Sequence, residues 1–252
     1  MMLGLEFPPI SHAIEWPDLF GSGAFAVNKV VVLMWLSVLA VAVFFIVAGR
    51  RQQLVPTGVQ NVGESVVDFV REGIIMQTMG KDGLGYTPFL ITIFSFVFVC
   101  NVWEIIPGAQ MPVNARIALP VLMAMIVWVI FNAVGIKNQG PLKYFKNMCF
   151  PPGVPWPLYV LVAPIELVST IIVRPVSLSV RLFANMLAGH LLLISFAVLS
   201  TALWESTKVG AILPFALLVA LTGFEILVAG LQAYIFTILA AVYIADAMHP
   251  AH

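Results

Sequence analysis

The stretch that decides the fold is Trp156–Trp204, WPLYVLVAPIELVSTIIVRPVSLSVRLFANMLAGHLLLISFAVLSTALW. It carries three formal charges, Glu166, Arg174 and Arg181, and one histidine, His190. It is more than twice as long as the ~20 apolar residues that cross a bilayer core of about 30 Å. Outward from it, Val209–Met248 repeats the pattern, apolar but for Glu225, Gln232 and Asp246. Three shorter uncharged runs precede them. These are Val30–Gly49, closed by Arg50 and Arg51, then Gly83–Trp103 and Ile117–Ile136. Each of the three is long enough to span upright, whereas the last two segments, roughly 40 residues each, are housed naturally by strong tilt.

The reading is therefore an all-α polytopic membrane protein, a single membrane domain over residues 1–252. Residues 1–29 form an outer N-terminal segment. The spans are 30–49, 84–106 and 116–136, with long tilted helices at 156–204 and 209–248. Composition agrees: 61% of the 252 residues are hydrophobic and 10% charged, against about 25% charged in soluble domains, and mean hydropathy is +1.03. That composition excludes a basic nucleic-acid binder, while the balance of Lys+Arg 12 against Asp+Glu 12 says nothing about partners. Cys100 and Cys149 read as free thiols with no metal-ligand spacing. The only charges before Lys29 are Glu6, Glu15 and Asp18, so the first run does not read as a cleavable signal peptide.

Basic residues set the expected orientation. Arg50, Arg51, Arg71, Lys81, Lys137, Lys143 and Lys146 fall on one side, and Lys29, Arg116 and Lys208 on the other. That places the N-terminus outside and, after five crossings, the C-terminus in the cytoplasm. Within residues 58–79, Val59, Val62, Val66, Phe69, Val70 and Ile74 recur at helical spacing against Glu64, Asp68, Arg71 and Glu72. This reads as an amphipathic helix on the cytoplasmic surface or against a partner, with an ordinary loop helix as the alternative. The prolines Pro151, Pro152, Pro155 and Pro157 mark an irregular segment before the fourth span.

An arginine at mid-bilayer costs about 2.5–3.5 kcal/mol on insertion scales, so one that is kept there has a use. Arg174, next to Pro175, has an ordinary explanation: it can snorkel to the interface. Arg181 lies deeper and has no acidic neighbour in sequence. At 100° per residue, Arg174, Ser177, Arg181, Asn185 and Ala188 share one face. Its small residues allow another backbone to approach. His190, nine residues past Arg181 and about 13.5 Å along the axis, points elsewhere. On the last helix Thr222, Glu225, Ala229, Gln232 and Phe236 form a second stripe. Glu225 and His190 can exchange protons; a guanidinium cannot. Arg181 is thus an electrostatic element and the other two are candidate relay groups. The plainer alternatives are an interhelical hydrogen bond or salt bridge for Glu225 and a satisfied core histidine for His190.

The segment Arg174–His190, RPVSLSVRLFANMLAGH, resembles the signature of subunit a of F-type ATP synthases. So do Leu231–Thr237 (LQAYIFT), with Glu225 seven residues before Gln232, and Asn101–Gly108 (NVWEIIPG), all in family order. The resemblance covers nearly the whole chain and implies the bacterial type. It implies a non-catalytic stator subunit that needs no cofactor. Its two long helices would form a hairpin against a ring of subunit c, each ring subunit carrying a membrane-embedded carboxylate. The remaining ATP synthase subunits, including the peripheral-stalk subunit b (or b-delta), would be partners, with membrane lipid around them and no nucleic acid. Two proton half-channels would meet the ring, separated by an essential arginine matching Arg181. Asn185 and Gln232, with Ser177, would neighbour that arginine. Asn101, His190 and Glu225 would line the outer half-channel. Candidates for the inner one are Arg174, Glu166, Asp246 and His249, although Asp246 and His249 at the cytoplasmic end read first as hydrated surface.

In some bacterial relatives the position of His190 holds Glu and that of Glu225 holds His. The reversed order here implies that the two side chains are spatial neighbours acting as one proton-exchanging unit. Competing classes fit less well. No internal repeat marks a secondary transporter, and neither HExxH spacing nor a P-loop is present.

Overall fold

The computed structural model describes residues 26–50, 53–106, 108–150 and 156–248. His249 and most of the N-terminal segment fall outside the described residues. Every element among those described is helical. The main ones are α1 (Lys29–Arg50), α2 (Val59–Val70), α3 (Thr87–Val102), α4 (Ala118–Gln139), α5 (Pro141–Cys149), α6 (Tyr159–Val168), α7 (Arg174–Ser206) and α8 (Ile212–Met248). Five stretches are long and apolar enough to cross a membrane: Lys29–Arg50, Gly80–Val102, Ala118–Gln139, Tyr159–Trp204 and Ile212–Met248. The protein is an all-α, multi-pass membrane protein. In lipid every backbone polar group must be satisfied within the chain, and helices do this segment by segment. The 46 residues of Tyr159–Trp204 correspond to about 69 Å of helix, more than twice the hydrocarbon thickness.

Local chemistry explains the breaks. Gly140, at φ 81°, separates α4 from α5 in a conformation that side-chain-bearing residues rarely adopt, and Pro141 opens α5 with a φ already suited to a first turn. Two π-helical turns interrupt the helical runs, at Arg71–Ile75 after α2 and Ser169–Val173 between α6 and α7. In the second, the Arg174 amide donates to the Ser169 carbonyl. The wider turn lies between Pro164, inside α6, and Pro175, which has no N–H to give.

The chain forms two compact units. The first comprises Met1–Val43, Ser95–Arg116 and Phe183–Ala233. Its interior includes Val97, Cys100, Met111, Met186 and Ala229, and within it the Trp103 indole donates to Ser37 Oγ at 2.7 Å. The second comprises Phe44–Phe94, Ile117–Leu182 and Tyr234–His252. It buries Val70, Ile74, Ile75, Leu90, Phe131 and Ile244. Gln139 donates to the Ala247 carbonyl at 3.0 Å and accepts from Asn147, tying the α4–α5 corner to the end of α8. Cys100 is buried, Cys149 is half-buried, and both thiols are free.

Candidate functional site

The site in the first unit is built on the place where α3 stops. Beyond Val102 the chain leaves the helix in turns, with the Glu104 amide donating to the Asn101 carbonyl at 3.2 Å. The Trp103 bond to Ser37 pins this turn. The chain then runs inward: Met111, Val113, Asn114 and Ala115 are all buried. Asn114 Nδ2 donates to Asn101 Oδ1 at 2.7 Å, and Asn101 Nδ2 reaches the Ala229 carbonyl on α8 at 3.4 Å. Buried amides are held this way because an unpartnered polar group in an apolar interior is costly.

His190 and Glu225 are both buried in the same unit, at 8% and 5% exposure. A Cβ on Gly189 would lie 2.5 Å from Glu225 Oε1, so α7 presents bare backbone where this carboxylate sits. Glu225 therefore packs beside the residue that precedes His190. The carboxylate that faces the imidazole directly is a different one: Glu104 Oε1 lies 3.5 Å from His190 Nδ1. Neither Glu104 Oε1 nor Glu225 Oε2 has a hydrogen-bond partner among the described residues. Further along α8, buried Gln232 accepts a hydrogen bond from Asn185 Nδ2 at 3.3 Å. The stripe read from the sequence is buried at Glu225, Ala229, Gln232 and Phe236 and half-buried at Thr222. Glu104 and Asn114 were not among the residues singled out from the sequence. Glu104 bounds the uncharged run Gly83–Trp103 and stands in the quoted Asn101–Gly108 segment without a role assigned to it.

On α7 the Arg181 stripe is open. Arg181, Asn185 and Ala188 are exposed and Ser177 is half-buried. Among the described residues Arg181 has no ion pair, and Asn185, one helical turn further on, holds Gln232.

In the second unit Arg174 is engaged. Its Nη1 lies 3.3 Å from Asp246 Oδ2, and its guanidinium sits 5.0 Å from the centroid of the Tyr243 ring, within cation–π range. Asp246 is exposed and Glu166 half-buried. Outside the spans, Tyr144 Oη donates to Asn132 Oδ1 at 3.1 Å. Burial pushes this phenol above its ordinary range, partly offset by the Arg174 charge, so it stays neutral and donates.

Fold and site together define a class: a multi-pass helical membrane protein that buries two carboxylates, an imidazole and a set of amides. Intramembrane ionisable residues of this kind mark function. Comparison makes the class specific. The ATP synthase A chain family matches residues 31–245. A Frankia alni protein named ATP synthase subunit a is 44% identical over 250 residues, covering 97% of this chain and 86% of that one. The Rhodococcus erythropolis protein of the same name is 42% identical over 249 residues, covering 94% and 90%. That from Rhodopseudomonas palustris is 44% identical over 222 residues, covering 87% of each. The chain belongs to the ATP synthase subunit a family, the non-catalytic, proton-translocating membrane subunit of the complex.

Proposed function

We propose that this chain is the stator half of a rotary proton path in a bacterial plasma membrane. The N-terminus lies outside, the C-terminus lies in the cytoplasm, and residues 58–79 lie along the cytoplasmic side. The long α7 and α8 pack as a tilted hairpin against a ring of subunit c, with the peripheral-stalk subunit b holding the assembly still. Two aqueous half-channels reach the ring. Asn101, His190 and Glu225 serve the outer one; Arg174, Glu166, Asp246 and His249 are candidates for the inner one. Arg181 separates the two, with Ser177, Asn185 and Gln232 around it.

The observation that carries this reading is the contrast along α7. Arg181 is exposed and has no ion pair among the described residues, whereas His190 is buried among carboxylates. A guanidinium is always charged. Facing a ring carboxylate it favours the ionised form and so promotes proton release, and its charge repels a proton taking a short cut. Each proton that crosses is worth about 2.3 kcal/mol per 100 mV, so a short cut would dissipate the gradient without rotation. The test is proton-driven ATP synthesis in inverted vesicles. Arg181→Ala is expected to abolish it; near-normal synthesis would refute the assignment.

A further inference from the structure

Glu104 has a place that its position at the end of a helix does not require. Its side chain is 2% exposed, and its Oε1 faces His190 Nδ1 at 3.5 Å. The turn that carries it is fixed by the hydrogen bond from its backbone N–H to the Asn101 carbonyl and by that from the Trp103 indole to Ser37 Oγ. A surface carboxylate ending a span would need none of this. Its Oε1 has no hydrogen-bond partner among the described residues, and neither does Oε2 of the nearby Glu225. A single proton between Glu104 Oε1 and His190 Nδ1 would satisfy both atoms.

We propose that Glu104 is a third proton-exchanging group of this cluster, passing protons to and from His190 Nδ1. The proposal rests on the reading that His190 and Glu225 lie on the proton path. In the forward step the O–H bond at Glu104 Oε1 breaks, leaving its electron pair on the carboxylate, and an N–H bond forms at Nδ1. The imidazolium then gives its Nε2 proton to the next base on the proposed path, a water or the Glu225 carboxylate, which leaves a neutral ring in the opposite tautomer. The reset is a second proton arriving at Glu104 from the aqueous side and a flip of the ring. The 3.5 Å separation is longer than a formed hydrogen bond, so transfer requires a small closing movement of either side chain, as in other proton-transfer sites at rest.

The test uses the whole complex in inverted vesicles, with ATP-driven proton uptake as readout and co-purification of the ring as the assembly control. Gln keeps the shape and hydrogen bonding of Glu but no exchangeable acid; Asp keeps the acid and shortens the reach. Glu104→Gln is expected to lower uptake roughly tenfold or more, with Glu104→Asp clearly better. A merely structural role gives the opposite ranking, and a Gln variant equal to wild type or better than Asp overturns the proposal. Should Glu104→Gln fail to assemble, Glu104→Asn against Glu104→Asp makes the same comparison. A cycle with His190→Gln is the second measurement. If the two groups act in series, the double variant loses no more than His190→Gln alone; multiplied losses overturn the transfer. Glu225→Gln in the same vesicles separates the two levels. Its full activity would sink the underlying reading, whereas a defect there beside normal Glu104→Gln would sink this inference only.

Discussion

Two arginines lie seven residues apart on α7, and the chain treats them differently. Arg174 is engaged within its own unit by Asp246 and the face of Tyr243. Arg181 is exposed and has no ion pair among the described residues. An arginine held internally is explained by the fold. One left open in an apolar helix calls for a counter-charge from elsewhere, which the proposed function assigns to a ring carboxylate. The comparison teaches that residue type and depth in a span do not identify the functional charge; the presence or absence of an internal counter-charge does.

The largest expected effect comes from breaking that difference at Arg181. Arg181→Lys keeps a positive charge but loses the planar fork and the permanence of the charge, and proton-driven synthesis should fall nearly as far as in Arg181→Ala. Synthesis above half of wild type would show that any cation suffices. Next come His190 and Glu225. Each single exchange, His190→Glu or Glu225→His, should impair proton-driven synthesis, and the double exchange should retain more than either. A double variant no better than the worse single would refute the pairing.

A smaller loss is expected from Gly189→Ala. The added methyl needs the space held by Glu225 Oε1, 2.5 Å away. The carboxylate must move, so uptake should drop while the ring still co-purifies. Unchanged uptake would mean that its position is loose. The smallest effect belongs to the Arg174 side of the comparison. Asp246→Ala removes an ion pair whose side chains are 26% and 54% exposed. Such pairs contribute about 0–1 kcal/mol, so thermal stability of the complex should barely change and synthesis should stay close to wild type. A severe loss of synthesis would move Asp246 from hydrated surface into the conduction path.

Much of this was legible in the sequence, and the reason is physical. Lipid tolerates few charges, so charge-free runs bounded by Arg50, Glu104 or Lys137 delimit spans without any packing information. The stripes containing Arg181–Asn185 and Glu225–Gln232 followed from helical periodicity alone, and Asn185 does reach Gln232. The role of Glu104 was not legible. Periodicity ends where α3 ends, and the course of the chain beyond it is set by tertiary burial of Met111, Val113, Asn114 and Ala115 and by the Trp103–Ser37 bond. The π turn at Ser169–Val173 was hidden for a related reason. Around Ser169–Val173 the run is apolar on nearly every side, so a one-residue change of helical phase leaves no mark in the pattern.

In the proposed function the Arg181 charge keeps protons on the route through the ring. This role is tested most directly by imposing a pH gradient across inverted vesicles that carry Arg181→Ala complexes and following its decay with a pH-sensitive dye. These vesicles should lose the gradient faster than wild type while making no ATP from it. A gradient held as long as in wild type, with ATP synthesis intact, would contradict this role.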